Sequence, residues 1–529
     1  MSDVDALDVV LMDGEGNYLN PRTATTGAGI PPSICKNLKI LQSGTSVSLW
    51  WKDPNNTVLD KQYLCTWGGT KIVKKLDEYP QNENDGTLVE DSQVWGQYQT
   101  EPLVDTIDDA DNDWKYAAFP YSTNNVTCYN KSNQFGDAII YEMIISTTES
   151  NPSNKVTYAG ANEDFEPGRM NFSSSSFNYG DWEDTFIIQS FRPCMLNFNG
   201  TVDYYLNKSN ARLKEDGSAS DVTNSSYSGN VMVEVDQIWI KEEYENNNIH
   251  IYFANKYAGE GYDCWTHYNK NNQLVDHYYY RKYQGSVISN KVRSISNINP
   301  TSSLSGITQR DYCKANGNGW DTQEWSFYRL MTYLHVLVGK TTNAREAFGY
   351  GYYTGSSSGY AAKLNGLNDD KGMFYGTESN ATVTTFYMDD FYCNLWELCC
   401  GLIQKSGKYY VKMTPGTADG STAGDYNTDG TGYLDTQVVC GQSASAAYIQ
   451  SMSLVPGKGL FPSVFTGASA TTYYCNGFWT ANVVGFARTG GDCYSSNGFL
   501  DGLFALNVNT VASHSFWNHG ASLSYKRPQ

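Results

Sequence analysis

One stretch of the chain has the spacing of a long helix. Trp325, Leu330, Met331, Leu334, Leu337 and Val338 recur three and four residues apart. Asp321-x-x-Glu324 ahead of them has the pattern of a reciprocal N-terminal cap, and Gly339 offers a stop, so the sequence predicts a core helix opening at Asp321. Elsewhere the runs are short, alternate apolar with polar residues, and are bounded by Asn, Asp and Gly. The fold class that follows is multidomain and mainly β, with an α+β C-terminal part.

At 529 residues the chain exceeds what one core normally organises. Residues 1–35 carry little periodicity and read as an arm or attachment segment. Over 36–135, Ser46 to Trp51, Cys65 to Lys75, Gly86 to Val89, Trp114 to Tyr121 and Val126 to Tyr129 predict the strands of a β-sandwich. Residues 136–185, Ser- and Asn-rich with a strand at Ala138 to Ile145, read as a connecting segment, and 186–529 as the larger unit. Within it, Phe191 to Leu206 predicts a hairpin around Asn199-Gly200, and Val231 to Ile240 a half-buried strand. The Gly-, Tyr- and Ser-rich stretch from Gly349 to Thr385 predicts a long irregular excursion.

Lys and Arg number 37 against 56 Asp and Glu, a net charge of −19. That balance argues against a nucleic-acid partner and against an anionic membrane surface. No apolar run is long enough to predict a transmembrane helix, and the acidic start lacks the features of a signal peptide. The 12 cysteines show no C-x-x-C or Cys/His clustering, which predicts reduced, mostly buried thiols. Tyr 41 and Gly 48, with abundant Ser and Asn, are the residue types of adaptable contact surfaces.

Residues 36–135 resemble a fibronectin type III domain through WWKDPNN, WGGTKIVKKLDEYPQNENDGTLV and YAAFPYS. The larger unit resembles C-type-lectin folds of the formylglycine-generating-enzyme type. The resemblance is carried, in order, by Met232-Val-Glu-Val235, the helix after Asn318-Gly-Trp320, Asn394-Leu-Trp-Glu397, and the segment from Arg488-Thr-Gly-Gly491 to Gly520. Phrases such as NGTVDYYLN, GKYYVKMT and GLFPSVFTGASATTYYCNGFW are similar to receptor-binding and tail-fibre proteins of gut bacteriophages whose lectin-type domain is varied by diversity-generating retroelements. Two departures stand out: Asp492-Cys493 replaces the family's aromatic after Gly-Gly, and Gly520-Ala-Ser522 replaces its Gly-Phe-Arg.

That resemblance implies a non-enzymatic virion protein of tail or fibre, made in the host cytoplasm. It would bind a bacterial cell-surface glycan or protein receptor, contact other virion proteins through its N-terminal region, and form a homotrimer. The alternatives are a structural head or tail decoration protein and an enzyme on the same fold. The implied contact surface is Asp492, Cys493, Tyr494, Ser495, Phe499, Leu500, Asp501, Leu506, Asn507, Val508, Thr510, His514, Phe516, Asn518 and His519. Its frame would be Trp396, Glu397, Arg488, Gly490, Gly491, Trp517 and Gly520. From Asp492 to His519 only Trp517 lies outside the residues reachable by replacing adenines in AAY codons, as variation of that kind requires.

Three polar clusters invite other chemistry. Asp389-Asp390 reads as a solvated acidic turn, and Glu397 as a buried carboxylate holding loop amides. Asp425, Asn427, Asp429 and Asp435 resemble half of a calcium loop. Thr436 stands where a bidentate Glu is needed, so an Asn/Asp/Gly turn is the first reading and calcium the alternative. No other cofactor is expected.

Overall fold

The computed structural model describes residues 11–12, 18–19, 31–54, 57–59, 63–353, 362–422, 424–440, 447–493 and 501–528. It is mainly β, built from several sheets. Strands β1 (Lys36–Ser43), β2 (Ser46–Lys52), β3 (Trp67–Leu76), β4 (Thr87–Ser92), β5 (Leu103–Thr106) and β6 (Trp114–Ser122) form two three-stranded sheets, ordered β1-β2-β5 and β6-β3-β4. Alternation decides which side chains meet between them: Val47, Leu49 and Trp51 of β2 point inward against Ile72, Tyr116 and Ala118. The expected strand at Val126 to Tyr129 is reduced to one bridge, Tyr121 to Thr127.

The stretch expected to be a connector is part of the larger core. β7 (Ile140–Ser146) and β8 (Val156–Gly160) join β12 (Trp239–Glu245) and β13 (Asn248–Ala254) in a sheet ordered β8-β7-β13-β12, and Trp182 is fully buried. Polar turns between these strands hide the alternation of Met143 and Ile145, which pack against Ile249 and Ile251. β9 (Phe191–Asn197) and β10 (Val202–Tyr205) make the expected hairpin, with Gly200 at φ +80 beneath the Tyr525 ring, where a Cβ would strike the hydroxyl. Val231 to Ile240 is split: β11 (Gly229–Asp236) is buried on both faces and lies in a different sheet from β12. With β14 (His277–Arg281), β15 (Trp320–Asp321) and, at the far end of the chain, β23 (Ser524–Lys526), the order is β10-β9-β11-β14-β23-β15.

The two longest of the four described α-helices precede the third sheet of the larger unit. α1 (Gly306–Lys314) is capped by Ser305, whose Oγ accepts from the Thr308 amide at 3.1 Å. α2 (Trp325–Gly339) starts four residues later than expected, because Asp321 is taken into β15 and paired with Arg310. Glu324 is its N-cap residue but makes no capping bond; its carboxylate accepts from Lys526 Nζ at 2.6 Å. The left-handed residue after the helix is Lys340, at φ +45, while Gly339 lets Ala347 and Phe348 approach. Every α2 side chain is buried, as in a helix enclosed on all sides. Its one arginine, Arg329, is matched by Glu242 at 2.8 Å and Asp263 at 2.8 Å.

The third sheet carries the C-terminal region. β16 (Trp396–Lys405), β17 (Lys408–Val411), β18 (Leu434–Val439), β19 (Ala447–Tyr448), β20 (Gly477–Thr480), β21 (Gly485–Thr489) and β22 (Leu506–Val508) run in the order β18-β17-β16-β21-β22-β20-β19. The short strands Gln323–Glu324 and His519–Gly520 pair in parallel with β16.

Candidate functional site

Gly490 and Gly491 turn the chain out of β21 with φ near +92 and +93. A Cβ on Gly491 would lie 2.3 Å from the Asp501 Cβ, and one on Gly490 would lie 3.1 Å from the Phe391 carbonyl oxygen. The pair thus threads between two neighbours, and Gly490 O accepts from the Cys393 amide at 2.8 Å. Asp492 follows as a pin: its Oδ2 accepts from Trp396 Nε1 at 3.0 Å and from Asn518 Nδ2 at 2.5 Å. Trp396 stands edge-on to Trp479, centroids 5.0 Å apart. Asn518 O in turn accepts from the Trp396 amide at 2.9 Å, fixing the far end of the loop over residues 511–518.

That loop presents the exposed part of the implied surface. Phe516 is 47% exposed and Val511 40%, and His514 is exposed as well. The His514 and Phe516 rings are stacked 5.9 Å apart, and both touch His519, at 5.5 and 6.1 Å. Thr510, Trp517 and Asn518 are half-buried. Seven other members of the expected contact surface are buried instead: Asp492, Cys493, Asp501, Leu506, Asn507, Val508 and His519. Leu506 to Val508 form β22 between β21 and β20, with neighbours on both sides, and Cys493 has no exposed surface. A polar, aromatic-rich segment does not reveal which of its residues a sheet will enclose. Tyr494, Ser495, Phe499 and Leu500 lie outside the described residues.

Beneath the loop, Glu397 is buried as expected, but its partners are side chains rather than loop amides. Arg281 Nε lies 2.5 Å from Oε1, and Tyr280 donates to Oε2 at 2.7 Å. Burial pushes the Glu397 carboxyl up and Arg281 opposes it. The same Arg281 donates to the carbonyls of Asp389 at 2.6 Å and Asp390 at 2.9 Å, so one guanidinium joins β14, β16 and the turn between them. Asp389 and Asp390 are therefore not a solvated turn: both are 4% exposed. Asp389 pairs with Lys282 at 3.2 Å, and burial together with Asp389 pushes Asp390 up to about 8. Arg281 and Tyr280 were not anticipated, and the HYYYR run offers no signal beyond strand alternation.

Arg488, fully buried on β21, differs from these. Nη1 donates to Thr510 Oγ1 and, at 3.4 Å, to Phe486 O, while Nε and Nη2 have no hydrogen-bond partner among the described residues. Burial pulls it down to about 10. His519 is held down to about 3 by burial, then by Arg488 and His514, and its Nδ1 also lacks a hydrogen-bond partner among the described residues.

The calcium candidates are engaged otherwise. Asp425 pairs with Arg310 at 2.7 Å and Lys314 at 3.0 Å, and Asn427 and Asp429 accept from turn amides of Gly430 and Thr431. Asp435 accepts from the Gln437 amide at 2.8 Å. Among the described residues the set spaced for an ion is Glu234, Asp236 and His277, with ligand atoms within 4.8 Å of one another. Asp236 and His277 also border a cavity of about 420 Å³ between the sandwich and the larger unit. The 11 cysteines whose side chains are described are unbridged and buried. No described helix is long and apolar enough to cross a membrane. No protein-family model matches the chain, and no significant match to a curated protein is found.

Proposed function

We propose that this is a virion protein that recognises a bacterial surface receptor through its C-terminal loop, His514 and Phe516 being central contacts. The observation that carries the reading is the contrast at 511–518: exposed aromatic and imidazole rings stand on a base held by Asp492, Trp396 and paired strands. A rigid base lets large side chains bind without a heavy ordering cost. The sandwich over 36–135 would act as a spacer, and trimerisation would multiply weak contacts. Because Leu506, Asn507 and Val508 are enclosed, variation there would alter the sheet rather than the ligand contact. We expect variable contacts to concentrate at 513–516.

The test is adsorption of the purified protein to a panel of gut bacterial cells and to their extracted surface glycans. Replacing His514 and Phe516 together by Ala should weaken adsorption by about 10-fold or more without changing the melting temperature. Undiminished adsorption would overturn the reading. Loss of incorporation into particles with adsorption intact would favour a structural decoration protein.

A further inference from the structure

A buried charge is tolerated when an opposite charge or a full set of acceptors meets it. Three other buried or half-buried arginines follow that rule: Arg281 faces Glu397, Arg329 faces Glu242 and Asp263, and Arg310 faces Asp321. Arg293, also buried, meets Asn230 Oδ1 and the carbonyls of Tyr227 and Gly229 instead. Arg488 meets neither condition. It has no ion pair among the described residues, and the two vacant nitrogens, Nε and Nη2, form one edge of the guanidinium. That edge is the one a carboxylate or phosphate grips with two parallel bonds. Nη1, held by Thr510 and Phe486, keeps the fork from turning.

The acids that follow Gly491 do not fill the gap. Asp492 is occupied by Trp396 and Asn518; Asp501 Oδ1 accepts from the Asp492 amide at 3.2 Å, its Oδ2 has no partner among the described residues, and the cation that acts on it is Arg345 rather than Arg488. His519 lies beside Arg488 with Nδ1 vacant, and its ring contacts run outward to exposed His514 and Phe516. A cationic fork, a vacant ring nitrogen and a threonine hydroxyl thus gather beneath the surface loop.

We propose that the Nε/Nη2 edge of Arg488 is an oxyanion-binding site for an acidic glycan, the oxyanion being a uronate carboxylate or a sugar phosphate. It rests on the loop being the binding face and names the ligand class for that face. Arg488 is fully buried, so reaching it requires the His514 and Phe516 side chains, which lie against His519, to turn outward; the anion would then supply a charge that no described residue provides.

Titrating the full-length protein with glucuronate, glucose 1-phosphate and glucose, by calorimetry and melting temperature, tests this. One or both acidic sugars should bind about 10-fold or more tighter than glucose, the better one identifying the oxyanion. Arg488→Met should lose that preference while melting at the same or a higher temperature, since it removes an unmatched charge. Arg488→Lys should lose most of it for want of the fork. Equal binding of all three sugars, or binding of none, would overturn the proposal, leaving an ordered water only at that edge. Should Arg488→Met fail to fold, the Arg488 Nε–H resonance decides: a shift with an acidic sugar and not with glucose supports the site, and no shift overturns it. Adsorption to cells without acid preference sinks this inference and spares the function reading. Acid preference without adsorption to any cell does the reverse.

Discussion

Single residues carry the largest local stakes where charge is enclosed. Glu397→Gln would leave Arg281 buried against a neutral partner while its other bonds still tie two strands to the Asp389-Asp390 turn. We expect a loss of about 3–5 kcal/mol, read as a lower midpoint in urea unfolding. Gly491→Ala should also destabilise, by about 1–3 kcal/mol, because its φ of +93 disfavours a side chain and Asp501 occupies the space. Its melting temperature should fall, and adsorption with it, as Asp492 is displaced from Trp396. From the sequence, Gly490 and Gly491 stand out only as frame residues implied by the family resemblance. The reason for glycine there, the close approach of residues distant in sequence, was not legible.

Among the elements, α2 shows both the reach and the limit of periodicity. Its apolar spacing marks a core helix, and the helix is enclosed on every side. It starts later than the sequence predicts because Asp321-x-x-Glu324 has the form of a local cap, whereas Arg310 and Lys526 claim those carboxylates for tertiary pairs. The helix also carries a pH sensitivity. Burial holds His335 down to about 4, from an ordinary value of 6.5. The unfolded chain therefore binds more protons between those values, so this contribution to stability is complete above pH 6.5 and is lost as pH falls toward 4. Asp390, raised to about 8, works in the opposite direction, its contribution being lost as pH rises from about 3.8 to 8. His335→Leu should flatten the acid limb of a plot of urea midpoint against pH. An unchanged slope between pH 6.5 and 4 would show that His335 does not titrate on unfolding.

At the scale of the whole molecule, the sandwich has a core of its own around Trp51, distinct from the large core around α2. Trp51→Ala should cost the sandwich about 3–5 kcal/mol. Calorimetry should show an early transition moved down and the main one left in place; a single transition shifted as a unit would contradict separate cores. The seam between the units holds Lys131 against Asp236 at 3.1 Å and the shared apolar residues Ile34, Cys128 and Trp239. By itself the sequence determined the mainly β character, the hairpin at Asn199-Gly200 and the core nature of the one long helix, because turn chemistry and periodicity are local properties. Tertiary structure alone decided that residues 140–160 belong to the large core, that Leu506 to Val508 are enclosed, and that Arg488 has no matching charge among the described residues. Each of these depends on which distant segments share a sheet, and burial and charge matching are settled only when those segments meet.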